Sequence, residues 1–217
     1  MALEKELTEE EITEKGNPKK PEGEYGSLML RRMNRTHQPL TKWALGFLNF
    51  KPDDTILDIG CGGGNTLKLI NEYNPQAKLY GADYSDVSID ETIKYNKDLI
   101  DNNVLEVYKA DVEKLPFRDN TFSKIITVES FYFWPNQKEN LKEVLRVLKP
   151  HGHLLVVNDV YDTGTLTEKE LFNVKKYNLK IRTEDEYKEL FHQAGFKDIR
   201  THKMDGEDWM VIDGQKK

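Results

Sequence analysis

The chain has 217 residues, of which 32% are charged and 37% apolar, and it carries a net charge of -6. That is enough for one domain with a sizeable core and a wet surface, and the negative charge argues against general affinity for nucleic acid, which rests on phosphate neutralisation. No apolar run reaches membrane-spanning length, Met1 to Gly16 is too charged for a signal peptide, and the single Cys61 leaves no partner for an intrachain disulfide, so a cytoplasmic location without membrane or nucleic-acid contact follows by default.

Residues 1–24 run from an acidic to a basic block broken by Pro18 and Pro21; a frayed helix to Lys15 is one reading and a disordered tail the stronger one. Residues 25–50 read as a helical cap. Leu40, Trp43, Ala44, Phe47 and Leu48 follow the spacing of a helix with one buried face, and Pro39 suits its first turn. A shorter helix, Ser27 to Met33, precedes it. Helices before the first strand of a sheet can lie across a site, so Tyr25, Asn34 and His37 are candidates to cover a ligand. The competing reading, polar groups capping helix ends, stands equal for His37 and is the stronger one for Asn34.

The stretch Thr55–Thr66, TILDIGCGGGNT, has the densest signal. Ile56, Leu57 and Ile59 read as a buried strand. Gly60, Gly62, Gly63 and Gly64 suit neither strand nor helix, and glycine is wanted where the backbone takes positive φ or a ligand comes close. Asn65 and Thr66 start a helix that Pro75 stops. Strand, glycine turn and helix are the layout of a nucleotide-type site in an open α/β sheet. A dinucleotide fingerprint G-x-G-x-x-G needs glycine at position 65, where this chain has Asn65. The acidic Asp58 beside the turn suits a cationic, amino-acid-bearing nucleoside better than a pyrophosphate.

Lys78 to Asp83 reads as the second strand, and Asp83 stands near where such folds place the acid that accepts from both ribose hydroxyls. Ser85 is an N-cap, and the segment to Asn102 reads as helix with Val87, Ile93 and Leu99 or Ile100 inward. Val104 to Ala110 is a third strand, followed by Asp111-Val112-Glu113-Lys114-Leu115-Pro116-Phe117. Phe122 to Val128 is a fourth, delivering Glu129 and the aromatic run Phe131-Tyr132-Phe133-Trp134. At least one of Phe131 and Phe133 should enter the core, while Tyr132 and Trp134 suit a half-wet wall. Leu141, Val144, Leu145 and Leu148 make a helix face, Pro150-His151-Gly152 a turn, and His153 to Asn158 a strand; His151 and His153 read as structural. Thr167 with Glu170, and Thr183 with Glu186, are capping boxes for two further helices, the first a possible substrate-pocket insertion at residues 160–180. Ile199 with its neighbours, and Asp208 to Ile212, form closing strands.

The glycine turn with Asp58, Asp83 at a strand end, the DVEKLPF string and the RVLKPHGHLLV string resemble, in order, the motifs of class I S-adenosylmethionine (SAM) dependent methyltransferases, of the small-molecule UbiE-like group. The resemblance spans Thr55 to about Val157. It implies a Rossmann-like, seven-stranded, mostly parallel α/β sheet with an antiparallel last strand, helices on both faces, and a single domain over 25–217. It implies SAM as cofactor, held by Tyr25, Asp58, Gly60, Cys61, Gly62, Asp83, Tyr84, Asp111, Val112 and Glu129, with Asp111 accepting from the adenine amine and the main chain at Val112 meeting the ring. His37, Glu129 and Tyr132 are the catalytic candidates, though Glu129, ending a central strand beside the glycine turn, suits the methionine ammonium slightly better.

The methyl acceptor is not specified. Strand four ends in Glu129-Ser130-Phe131-Tyr132 instead of the (Asp/Asn)-Pro-Pro-Tyr of many nucleic-acid and protein amine methylases, no second cysteine offers a nucleophile, and no cluster has metal-site spacing. A small, partly apolar acceptor is the expectation. A catalytically silent SAM-binding regulator and, less so, a nicotinamide oxidoreductase are the alternatives.

Overall fold

The computed structural model describes residues 7–217. Within them the frame is a sheet of seven strands: β1 (Thr55–Ile59), β2 (Lys78–Asp83), β3 (Leu105–Lys109), β4 (Phe122–Val128), β5 (Leu148–Asn158), β6 (Lys197–Lys203) and β7 (Met210–Gln215). Their order is 3-2-1-4-5-7-6. β1 to β5 pair in parallel, and β7 runs antiparallel to both β5 and β6. The helices are α1 (Glu9–Gly16), α2 (Gly23–Thr36), α3 (Gln38–Leu45), α4 (Asn65–Tyr73), α5 (Asp86–Tyr95), α6 (Lys97–Asp101), α7 (Gln137–Val147), α8 (Glu168–Tyr177) and α9 (Glu184–Ala194).

Strands covered on both sides must be apolar on both sides, and these are. Leu57, Ile125, Leu154 and Val156 face one core with α7 and α9, while Ile56, Ile126, Leu155 and Val157 face the other with α3 and α4. Each such side chain, taken fully out of water, contributes about 1.5–3 kcal/mol. The strand order reverses at β1, whose neighbours are β2 and β4. Ligands of open sheets bind outside the carboxyl ends of the strands at such a reversal. At the opposite end of β1, Asp54 and Lys124 form a buried ion pair at 2.5 Å, and Ser123 Oγ donates to the same carboxylate at 2.7 Å.

Four elements differ from the sequence expectation. Of the tail expected over 1–24, residues 1–6 lie outside the described residues, and the rest is ordered into α1 and the start of α2. Thr8 and Glu11 form a reciprocal capping box at the start of α1, and Ile12 is fully buried against Leu28 and Met29 of α2. Leu7 adds partly buried cover, so two apolar residues in a charged segment carry this packing and favour the helix to Lys15 over the tail. α2 is also longer than the expected Ser27–Met33. α5 is rotated from its expected phase: Ile93 is exposed, and Ser88, Glu91 and Thr92 face inward. Its inner neighbour is the glycine turn, whose carbonyls need donors more than they need apolar cover. Finally, β5 runs from Leu148 through the expected turn at Pro150-His151-Gly152, with His151 at φ 63° as the irregular residue.

Candidate functional site

The turn after β1 is held from three sides. Gly60 N donates to Ala82 O of β2 at 2.8 Å. Thr92 Oγ1 donates to Gly62 O at 2.9 Å, and Asn96 Nδ2 to Gly64 O at 3.0 Å. Asn34 of α2 donates from Nδ2 to Gly63 O at 2.8 Å. A Cβ on Gly63 would lie 2.5 Å from Asn34 Oδ1, and one on Gly64, at φ 83°, 2.4 Å from Asn96 Nδ2. Glycine is therefore required by neighbours as well as by backbone angle. Asn34, read from sequence as a helix cap, is instead the contact that seats α2 on this turn.

Turning the carbonyls outward leaves amides on the inner side. Gly62 N donates to Asp83 Oδ2 at 3.0 Å, and Ser85 N to Oδ1 at 2.9 Å. Each Asp83 oxygen keeps a further lone pair, so the carboxylate is oriented and still able to accept from a ligand. Burial raises its pKa above the usual carboxylate range, against the pull of these amides. Asp58, behind the turn, is 1% exposed, and its Oδ1 has no hydrogen-bond partner. Burial, then the Asp83 charge, push its pKa up to about 8. Burial also raises the Cys61 thiol, which makes it a poor nucleophile.

These groups border a cavity of about 320 Å³. Gly60, Cys61, Gly62, Asp83, Tyr84, Asp111, Val112, Glu129 and His37 of the expected set line it. Asp111 holds the main chain of its own loop, accepting from Glu113 N at 2.9 Å. Asp58 lies beneath the lining. Tyr25 does not reach the cavity: it sits in the first turn of α2, with Lys15 Nζ 5.0 Å from its ring centre. The cover is supplied by the strap between α1 and α2, through Pro18, Lys19 and Pro21. Tyr84 Oη donates to Lys19 O, and Ser85 Oγ to Pro21 O at 2.6 Å.

A second cavity, about 290 Å³, adjoins the first and shares His37, Glu129 and Phe133 with it. Tyr132 belongs to this one, as do Asp159 and, from α8, Val174 and Tyr177. The expected half-wet wall is corrected here. Tyr132 and Trp134 are buried, Phe131 is in the core, and Phe133 is the partly exposed wall, because a 3₁₀ turn at Phe131–Phe133 rotates the run. Glu129, at φ 53°, accepts from Tyr132 Oη at 2.9 Å and from Asp159 N at 2.5 Å. Burial, then the Asp159 charge, hold its pKa well above the ordinary value. Burial lowers the His37 pKa, with Asp159 opposing, so His37 is disposed to be neutral and able to accept a proton. Asp159 went unnoticed in the sequence, where it is one acid among many after a strand.

Among the described residues there is no group of His, Cys, Asp and Glu that could hold a metal ion, and no helix long and apolar enough to cross a membrane.

Residues 57–156 match the family model described as a methyltransferase domain. The chain is 30% identical to cycloartenol-C-24-methyltransferase 1 of Oryza sativa subsp. japonica over 65% of its own length and 41% of that protein's. It is 27% identical to the ubiquinone/menaquinone biosynthesis C-methyltransferase UbiE of Ectopseudomonas mendocina, over 78% of this chain and 75% of the relative. The chain thus spans about two fifths of the plant protein it matches. Among solved structures, Haemonchus contortus phosphoethanolamine N-methyltransferase 2, in complex with phosphomonomethylethanolamine and S-adenosylhomocysteine, superposes with a TM-score of 0.76 at 13% identity, covering 98% of this chain and 61% of that one.

Proposed function

From a chain whose residues 57–156 match a methyltransferase-domain model, we propose that it transfers a methyl group from SAM to an O, N or C nucleophile of a small acceptor. One observation supports this most: Asp83, fixed by the Gly62 and Ser85 amides, stands at a cavity that also holds Asp111 and the glycine turn. The lining fits SAM. Asp83 would accept from the ribose hydroxyls and Asp111 from the adenine amine. Glu129 would take the methionine ammonium, and the Asp58 oxygen that lacks a hydrogen-bond partner behind the turn favours a cationic ligand.

When bound, SAM supplies an electrophilic methyl on a sulfonium. The protein's part is alignment, which can contribute roughly 7–11 kcal/mol to lowering a barrier. Phe133, common to both cavities, is placed to exclude water between them and to offer a ring face to positive charge. His37, disposed to neutrality and bordering both cavities, would accept the acceptor's proton at an imidazole nitrogen. Tyr132 orients Glu129 by its hydrogen bond.

The adjoining second cavity favours turnover over a silent SAM-binding role, which needs no acceptor space. Asn65, in place of a third fingerprint glycine, disfavours a nicotinamide cofactor. Calorimetric titration of the protein with SAM, S-adenosylhomocysteine and NADH tests the reading. SAM and its product should bind, and Asp83→Ala should weaken both by about 1.5–3 kcal/mol, the worth of hydrogen bonds to a charged group. Tight NADH binding with no response to SAM would overturn it.

A further inference from the structure

The second cavity is bordered by three carboxylates, Glu129, Asp159 and Glu170, against one guanidinium, Arg32. Asp159 has no ion-pair partner among the described residues, while Glu129 is the group given above to the cofactor. Glu129 is buried with both oxygens occupied by hydrogen bonds, so it is fixed in place, while Asp159 is exposed toward the cavity. Aromatic rings complete the lining, Tyr132 and Phe133 from the turn after β4 and Tyr177 from α8. Carboxylates with aromatic faces are the set that recognises an alkylammonium group. The same set repels a phenolate or carboxylate nucleophile and raises the cost of forming one.

We propose that the acceptor is a small aliphatic amine, whose nitrogen is held in the second cavity by Asp159 and the aromatic walls and becomes methylated there. This rests on the methyltransferase reading above and narrows its acceptor from O, N or C to N. The amine lone pair forms the N–C bond as the C–S bond breaks, and the breaking pair stays on sulfur. Positive charge thus moves from sulfur to nitrogen, toward Asp159. A proton then on nitrogen, or one lost before attack, passes to His37 and from there to solvent. Asp159 is a substrate-binding residue that favours the cationic product and the charge developing on nitrogen.

The test is calorimetric titration of protein loaded with S-adenosylhomocysteine, using choline and its uncharged carbon isostere 3,3-dimethylbutan-1-ol. Choline should bind at least about tenfold more tightly than the isostere, a difference of ~1.4 kcal/mol. Asp159→Asn should remove most of that preference, and Asp159→Lys should abolish choline binding. Because Asp159 is exposed, both variants should keep the wild-type melting temperature and still bind S-adenosylhomocysteine, so the choline preference is read on folded, loaded protein. Radiolabelled methyl transfer should favour N-methylethanolamine over catechol. Equal affinity for choline and isostere, binding of neither, an undiminished preference in Asp159→Asn, or faster transfer to catechol would each overturn the proposal. Loss of S-adenosylhomocysteine binding by the wild-type protein would instead overturn the methyltransferase reading itself.

Discussion

Replacing Asp58 by Asn should change how cofactor affinity depends on pH. Asp58 is buried behind the glycine turn, and its pKa is pushed up to about 8 by burial and by Asp83. Near neutral pH the ligand-free protein therefore holds a proton there. A cationic ligand in front of the turn favours the ionised carboxylate, so binding releases that proton, and affinity should rise with pH up to about 8. If bound ligand returns the group to the ordinary range near 4, the dissociation constant for SAM should fall about tenfold, or ~1.4 kcal/mol, between about pH 6 and pH 7. Above about pH 8 the ligand's own α-amino group loses its charge, so the informative window lies below that. Titration calorimetry in buffers of different ionisation enthalpy counts the proton directly. Asp58→Asn should flatten the slope without erasing it, because Asp83 is also raised. A pH-independent dissociation constant with no proton released, or an unchanged slope in Asp58→Asn, would refute the reasoning. Stability has its own sign: a carboxyl raised on folding stabilises below its unfolded pKa, and that contribution is lost as pH rises toward about 8. Asp58→Asn should accordingly raise the melting temperature of ligand-free protein more under alkaline than under acidic conditions.

His37→Ala should lower turnover by about 10²–10⁴ if the imidazole acts as general base, while the affinity for SAM changes little. Equal losses in both would move His37 into the cofactor-binding shell, a distinction steady-state kinetics and calorimetry make together. Asp54→Ala should destabilise the protein by about 3–5 kcal/mol in urea denaturation, because it leaves Lys124 charged and buried without its partner. Adding Lys124→Met should recover much of that loss, and an additive double variant would show that the pair is not coupled.

What the sequence disclosed about the site was mostly what is local in it. The glycine turn, Asp83 closing β2, Ser85 capping α5 and the two threonine capping boxes each depend on a few adjacent residues, and each falls where the local pattern puts it. What escaped was set by partners distant along the chain. Asn34 meets Gly63 across a sequence gap no periodicity reports, and Thr92 and Asn96 turn inward because bare glycine carbonyls lie opposite. Hydrophobic spacing alone put Ile93 in their place. Tyr25 looked like a lid because it opens the expected cap, but the short helix α1 claims its surroundings and leaves the covering to Pro18, Lys19 and Pro21. Asp159 gains its meaning only once Glu129 and α8 stand around it.

The strap from α1 to α2 is fastened to the sheet side of the cavity by few bonds, two of them running from Tyr84 and Ser85 to Lys19 and Pro21 carbonyls. Releasing that pair would cost about 1–3 kcal/mol in all. A nucleoside bound as proposed would then enter and leave by unlatching a few residues while the strands stay shut. The rate of product escape would then be governed by a hinge that no catalytic group occupies.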